Sequence, residues 1–266
     1  MICNKVFFDG FGEDFFLETF ISAPMQGFTR DALLVIPGGG YACVCADREG
    51  EPIAHAFLPH GFNAFVLHYT VGKKARFPLP LVEASIAMHH IRTHAEEYNI
   101  DPERIFVTGF SAGGHLCAAL GTLWHLSEIT ETAKIPYGSN KPAGVLPIYG
   151  AVAMDPELVA EGYINLICGD ISNRDRWSLD KQVDDRTVPM YLAHTANDNV
   201  VDVRSSLRLA NALAEHKIPF ELHVFADGPH GIATSDRIAG LANPACDNAH
   251  NANWIPLAAE WMKNLK

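Results

Sequence analysis

The sequence lacks a long apolar stretch and is short of positive charge. No apolar run approaches the roughly 18 residues of a membrane span. The 266 residues include 20 Lys and Arg against 31 Asp and Glu, for a formal net charge of −11. A negative surface repels phosphate backbones and anionic lipids. We therefore expect neither nucleic acid nor membrane among the partners.

Frameworks of cysteine and histidine ligands are also missing. The six cysteines are scattered, and Cys43 and Cys45 are separated by one residue, whereas zinc ligands are commonly spaced by about two to four. His89 and His90 are adjacent and would point in different directions on a helix. We expect reduced cysteines, no metal and no cofactor.

The first residues show no basic region followed by an apolar core, which a secretory signal would require. We therefore expect the protein to be cytoplasmic.

Short apolar runs alternate with segments of helical periodicity. Helical three-four spacing occurs at 81–98, 202–216 and 254–265. The alternation predicts one α/β domain over residues 1–266, with a mostly parallel central sheet and helices on both faces. The first thirty residues predict an antiparallel edge hairpin. The strand-like runs lie at 32–40, 63–71, 104–110, 143–152, 188–196 and 220–228.

One serine, Ser111, stands among small residues in GFSAGGHL, between a predicted strand and a predicted helix. Gly-x-Ser-x-Gly in this context predicts a nucleophile elbow, a tight turn that presents the hydroxyl at the carboxyl end of the sheet. The helix start behind it offers free N–H groups to a developing oxyanion. A glycine-rich helix start that binds a phosphate or nothing is the alternative.

A serine nucleophile requires a base and an orienting carboxylate. Asp198 and His230 both follow late strands, in the order serine, acid, histidine that this arrangement uses. We predict that they complete a catalytic triad with Ser111. Asp202 is the alternative acid, but it is better placed to cap the next helix. Asp227 is expected to belong to a turn.

The stretch PGGGY, residues 37–41, follows the strand ending at Ile36. Glycines allow the backbone to approach a substrate closely, so we assign the oxyanion hole to Gly39, Gly40 and Ala112. We predict that Tyr41 lines the acyl pocket and binds substrate; a packing role is the alternative.

Two long stretches fit the sheet poorly, and a short charged stretch follows the glycine loop. Asp47, Arg48 and Glu49 predict a helix start with acidic residues in its first turn; an ion pair that braces the oxyanion loop is the alternative. Residues 155–187 and 232–253 are long polar connections that are predicted to cover the site. Trp177, within the first of them, would either stack on a sugar or pack in the core.

Together, PGGGY, GFSAGGHL, HTANDNVVDVRSSL and GPHG resemble the α/β-hydrolase fold. More narrowly, they are similar to bacterial acetyl-esterase and acetyl-xylan-esterase-like enzymes of the lipase and esterase group, over roughly residues 32–265. One departure is Pro37, where many relatives have a histidine.

This resemblance implies a serine carboxylesterase that acts on short acyl esters, commonly acetyl groups on sugars, with an acetylated saccharide as the expected partner. Two alternatives assign a different function to the same fold. One is a peptidase or formamidase that uses the same triad, and the other is a non-catalytic binding protein. The sequence leaves a homodimer open.

Overall fold

Eight strands form one sheet in the computed structural model of the protein, which describes residues 2–8 and 14–265. The strand order is β1-β2-β4-β3-β5-β6-β7-β8. Strands β3 to β8 pair in parallel, whereas β1 and β2 form the antiparallel edge. The predicted hairpin and the mostly parallel sheet are therefore confirmed. The strands are β1 (Ile2–Phe7), β2 (Phe16–Ile21), β3 (Arg30–Ile36), β4 (Phe62–His68), β5 (Ile100–Phe110), β6 (Gly144–Ile148), β7 (Met190–Thr195) and β8 (Phe220–Phe225).

Helices cover both faces of the sheet, as the pattern predicted. One core lies between the sheet and α3, α4, α5, α6 and α8; the other lies between the sheet and α2 and α10. Within residues 2–8 and 14–265, no helix combines the length and apolar character needed to cross a bilayer. The helices are α1 (Ala46–Glu49), α2 (Glu51–Phe57), α3 (Leu79–Thr93), α4 (Ala112–Leu123), α5 (Ser127–Ala133), α6 (Glu161–Cys168), α7 (Arg174–Trp177), α8 (Arg204–Glu215), α9 (Arg237–Ala242) and α10 (Trp254–Asn264).

The buried parts of the central strands are mostly apolar because their residues meet one of the two helical layers. In β3, Leu34 and Ile36 contribute to one core, whereas Leu33 and Val35 contribute to the other. Successive strand residues point to opposite faces, so a strand covered on both sides has no position for a solvated side chain. The continuous apolar runs in the sequence have this cause.

The parallel arrangement brings several loops to one edge of the sheet. Strands β3, β5, β7 and β8 all point the same way, and their carboxyl ends precede, in that order, the PGGGY loop, Ser111, Asp198 and His230. Ligands of open α/β sheets bind at this edge, and the fold brings the segments that hold the predicted site residues to it.

The contact between α4 and β3 leaves no room for a side chain at Gly113, where a Cβ would lie 2.1 Å from the carbonyl oxygen of Ile36. Since that atom belongs to a central strand, we expect Gly113→Ala to lower the free energy of unfolding by about 1–3 kcal/mol, measured by urea denaturation. The control is Gly162→Ala in α6, where nothing lies within 4 Å of the added Cβ. Alanine favours a helix over glycine by about 1 kcal/mol, so this variant should be unchanged or stabilised. Equal stability of the two variants would contradict the tight packing.

Candidate active site

Ser111 occupies a strained turn between β5 and α4. Its backbone angles are φ 53° and ψ −115°, in a region that side-chain-bearing residues seldom adopt. The Ser111 N–H donates to the Ile148 carbonyl at 3.1 Å, and the Ser111 carbonyl accepts from the His115 N–H at 3.1 Å and the Ala151 N–H at 3.2 Å. These bonds hold the turn to β6 and α4 and present the hydroxyl at the edge of the sheet.

The structure brings Ser111, His230 and Asp198 into one hydrogen-bonded line. His230 Nε2 lies 2.8 Å from Ser111 Oγ, and His230 Nδ1 lies 2.7 Å from Asp198 Oδ2. A carboxylate only accepts, so Nδ1 donates to Asp198. In the neutral imidazole, Nε2 is then free to accept the serine proton. This is the geometry expected of a nucleophile, its base and an orienting acid.

The side chain of Asp198 is buried, and both of its carboxylate oxygens accept hydrogen bonds. Its Oδ1 accepts from the N–H groups of Val200 and Val201 at 2.8 and 3.0 Å. Its Oδ2 also lies 3.4 Å from His194 Nε2. Burial alone would raise the pKa of Asp198, but hydrogen bonds from His194 and His230 hold it well below its usual value. The carboxylate therefore stays charged at neutral pH.

Asp202 faces away from this line. Its carboxylate accepts from the Arg204 backbone N–H at 2.8 Å and pairs with the Arg204 guanidinium at 2.8 Å, at the start of α8. Asp227 accepts from the Asn197 side chain at 2.5 Å, within the turns that follow β7 and β8. Of the three aspartates considered, only Asp198 contacts His230.

The glycine loop after β3 presents two backbone donors. Gly39 and Gly40 line the same cavity as Ser111, and both have positive φ, 125° and 62°. Within the described ranges, neither N–H has a protein acceptor. Ala112 begins α4, and the first N–H groups of a helix lack an intrahelical acceptor. Gly38 differs, because its N–H donates to Glu49 Oε2 at 2.8 Å.

The prediction that Tyr41 lines the acyl pocket is wrong for its side chain, which is fully buried. Its hydroxyl lies 3.0 Å from His115 Nδ1, and its ring packs beside Tyr69 and Phe77. His115 Nε2 lies 2.9 Å from the Trp177 carbonyl, so Nε2 donates there and Nδ1 accepts from Tyr41. Burial lowers the pKa of His115 to about 4, which keeps this connection neutral.

Trp177 is also a packing residue rather than a sugar platform. It is 4% exposed and packs against Phe77, with ring centroids 5.1 Å apart. Such packing removes a large apolar area of an aromatic side chain from water. The sequence pattern did not indicate that Trp177 would pack in the core in this way.

The cavity in front of Ser111 has a volume of about 730 Å³. Both long connections contribute to its wall, the first through Val159, Tyr163 and Leu166 and the second through Ala242 and Cys246. The predicted covering segments thus reach the site, although 155–187 also forms α6 and α7. Other lining residues are Gly39, Gly40, Cys45, Arg48, Glu49, Ser111, Ala151, Ala160, Gly162, Val200, Val201, His230, Gly231 and Asn243.

Three more polar residues lie around the site: Tyr149 and His194, to which the sequence pattern assigned no role, and Glu49, which it placed in a helix start or a bracing ion pair. The helix predicted at Asp47 to Glu49 is present as α1, and Arg48 pairs with Asp47 at 3.5 Å. Glu49, however, is buried and holds the glycine loop through Gly38, so the loop is braced by a carboxylate and an amide rather than by an ion pair. A signal existed for His194, a histidine near the end of a mostly apolar strand, β7.

The strand order, the strained serine between β5 and α4, and the acid and histidine after β7 and β8 define an α/β hydrolase. The family model described as BD-FAE matches residues 21–213. The chain therefore belongs to the BD-FAE family.

Similar proteins have names that refer to xylan and ester hydrolysis. The chain is 39% identical over 216 residues to endo-1,4-beta-xylanase B of Butyrivibrio fibrisolvens, covering 78% of this chain and 33% of that protein. It is 24% identical over 207 residues to an acetylxylan esterase of Xylanibacter ruminicola, covering 75% and 40%. The chain thus spans about a third to two fifths of these relatives.

Solved structures cover the chain more completely. An acetyl ester-xyloside bifunctional hydrolase from Caldicellulosiruptor lactoaceticus is 31% identical with a TM-score of 0.79, covering 94% of this chain and 87% of that one. MGS-M1, an α/β hydrolase from a Medee basin deep-sea metagenome, is 30% identical with a TM-score of 0.81, covering 100% and 98%. The predicted fold and family resemblance are therefore confirmed.

The choice between the two aspartates can be tested by removing one charge at a time. We expect Asp198→Asn to lower kcat by about 10⁴, because an amide favours the wrong imidazole tautomer. Asp202→Asn should leave kcat within about twofold, since surface ion pairs contribute little. Initial rates on p-nitrophenyl acetate measure both. The reverse ranking would show that Asp202 is the acid.

Because the Tyr41 side chain is buried away from the cavity, its replacement should change stability without changing activity. Tyr41→Phe removes only the hydroxyl that bonds His115, so the free energy of unfolding should fall by about 1–2 kcal/mol. The KM for acetyl esters should not change. Urea denaturation and steady-state kinetics measure the two effects, and a several-fold rise in KM at unchanged stability would restore Tyr41 to the pocket.

Proposed function

We propose that the chain is a serine carboxylesterase that removes short acyl groups, principally acetyl groups, from sugar esters. The observation that carries the proposal is the line from Asp198 through His230 to Ser111, with distances of 2.7 and 2.8 Å, which ends at a cavity of about 730 Å³. A serine held in this way has its base already in contact.

In the first half-reaction, His230 Nε2 accepts the Ser111 hydroxyl proton as Oγ bonds to the ester carbonyl carbon. The carbonyl electron pair moves to the oxygen. When the carbonyl re-forms, the bond to the alcohol breaks, and the alcohol leaves with the proton from His230. Water then repeats the sequence on the acyl-enzyme and releases the acid. Asp198 orients His230 and stabilises its cation throughout.

The oxyanion of each tetrahedral intermediate is assigned to the N–H groups of Gly39, Gly40 and Ala112. The N–H groups of Gly39 and Gly40 have no protein acceptor among the residues that the structure describes, and both glycines line the cavity, so a substrate oxygen does not have to displace an existing hydrogen bond. Donors that are fixed before the reaction stabilise the charge without reorganisation.

The sugar-acetate specificity is supported by the relatives' names, an acetylxylan esterase and an acetyl ester-xyloside hydrolase. The cavity wall combines small apolar residues such as Ala151 and Val159 with polar groups such as Asn243. Such a mixture suits a short acyl chain beside a hydroxylated alcohol. Because the curated relatives are longer, we propose that the chain corresponds to one catalytic domain over residues 1–266.

The decisive measurement is the initial rate on p-nitrophenyl acetate, butyrate and octanoate, followed by acetate release from acetylated xylo-oligosaccharides. We expect the acetate ester to be preferred, the sugar to release acetate, and Ser111→Ala to be inactive, because it lacks the nucleophile. Turnover of the aryl esters without acetate release from the sugar would retain the triad and overturn the sugar as the alcohol.

A fluorophosphonate probe separates the remaining alternatives. Labelling of the native protein but not of Ser111→Ala shows an activated serine. Labelling without ester turnover would favour a peptidase or formamidase on the same triad. An unlabelled and inactive native protein would favour a non-catalytic binding protein.

A further inference from the structure

Glu49 is a buried carboxylate directly behind the glycine loop. It ends α1 and is only 3% exposed. Taking a charged carboxylate out of water is costly unless each oxygen gains hydrogen bonds. Burial raises the pKa of Glu49, and the bonds to Gly38 and Tyr149 oppose that rise. The hydrogen bonds that its two oxygens accept offset this cost and identify the parts of the site that Glu49 connects.

The first oxygen holds the loop that carries the oxyanion donors. Glu49 Oε2 accepts from the Gly38 N–H at 2.8 Å. Gly38 is squeezed between this carboxylate and the serine turn: a Cβ on it would lie 2.6 Å from the Phe110 carbonyl oxygen and 3.0 Å from Ser111 Cβ. Gly38 immediately precedes Gly39 and therefore sets where the next two N–H groups point.

The second oxygen is connected to the histidine loop. Glu49 Oε1 accepts from the Tyr149 hydroxyl at 3.0 Å, and that hydroxyl oxygen accepts from the Ala233 N–H at 3.1 Å. The Tyr149 ring also contacts the His230 ring edge to face, with centroids 5.2 Å apart. One carboxylate thus connects the oxyanion loop to the loop that carries the base.

We propose that Glu49 is a positioning residue that fixes the oxyanion loop relative to His230, with Tyr149 as its extension; this inference rests on the proposed esterase function. The two neighbours, an amide N–H and a phenol O–H, both donate to Glu49. A carboxylate offers two acceptor oxygens, whereas an amide of the same shape offers one acceptor and one donor group. Glu49→Gln therefore keeps the volume and breaks one of the two bonds.

Of the two steady-state parameters, kcat and KM, Glu49→Gln is expected to change only kcat. Loss of one oxyanion donor costs about 10² to 10³ in kcat, and a displaced donor retains part of its effect, so we expect a fall of about ten- to a hundredfold. KM should stay within about twofold, since oxyanion contacts form only in the transition state. For the same reason, the inhibition constant of a trifluoromethyl ketone should rise in proportion to the loss of kcat/KM.

Glu83 provides a matched control. It is 1% exposed and accepts from the Thr70 backbone N–H at 2.8 Å and from the Thr70 hydroxyl at 2.5 Å. It lies in α3 and does not line the cavity at Ser111. Glu83→Gln should lower the free energy of unfolding as Glu49→Gln does, but leave kcat and the ketone affinity within about twofold of the native values.

Tyr149→Phe tests the same brace without removing the carboxylate, and it decides the matter if Glu49→Gln does not fold. It keeps the ring beside His230 and removes the hydroxyl that joins Glu49 to Ala233. We expect kcat to fall about tenfold with KM unchanged, because a positioning error of this kind acts on the reacting geometry.

Two outcomes would overturn the inference. One is a folded Glu49→Gln or Tyr149→Phe variant with native kcat. The other is a loss of kcat that Glu83→Gln reproduces, which would reduce the effect to stability. Failure of the esterase proposal is recognised separately, since the native protein would then not hydrolyse p-nitrophenyl acetate, whether or not it reacts with the fluorophosphonate.

Discussion

The whole site depends on a contact between backbones at the serine turn. A Cβ on Gly109 would lie 2.1 Å from the Gly113 carbonyl oxygen, and one on Gly114 would lie 2.7 Å from the Cα of Gly150. Strand β5 can turn sharply into α4 only because these positions carry no side chain. The turn directs Ser111 Oγ outward and the start of α4 toward the same cavity.

Two buried carboxylates then fix the loops around that turn. Asp198 receives two backbone N–H groups on one oxygen and histidine nitrogens on the other. Glu49 accepts hydrogen bonds from the Gly38 backbone N–H and from the Tyr149 hydroxyl. For both carboxylates, hydrogen bonds offset the free-energy cost of burying the charge. Removing one partner would leave a buried polar group without a hydrogen bond, which would destabilise the fold. The geometry of the loops is therefore set by polar bonds within an otherwise apolar framework.

The local sequence pattern predicted a helix or a strand correctly where one hydrophobic periodicity determined the structure. The predicted helix at 202–216 is α8 (Arg204–Glu215), and the run 188–196 contains β7 (Met190–Thr195). Tyr41 and Trp177 show where that guidance ends. Either aromatic ring can pack in a core or line a pocket, and the partners that decide, His115 and Phe77, are distant in the chain. Neither the loop that holds Tyr41 nor the four-residue helix that ends at Trp177 is long enough to show a hydrophobic period from which side-chain direction could be predicted.

The sequence by itself determined the α/β class and the candidates Ser111, Asp198 and His230, because strand ends and small residues are local features. Only the tertiary structure decided that Asp198 rather than Asp202 meets His230, that Tyr41 turns inward, and that Glu49 braces the glycine loop. Each of these depends on which loops lie side by side after eight strands have paired. The hydrogen bonds of this site join residues that are 11, 32 and 119 positions apart in the sequence. Contacts between residues so far apart in the sequence form only when the chain is folded.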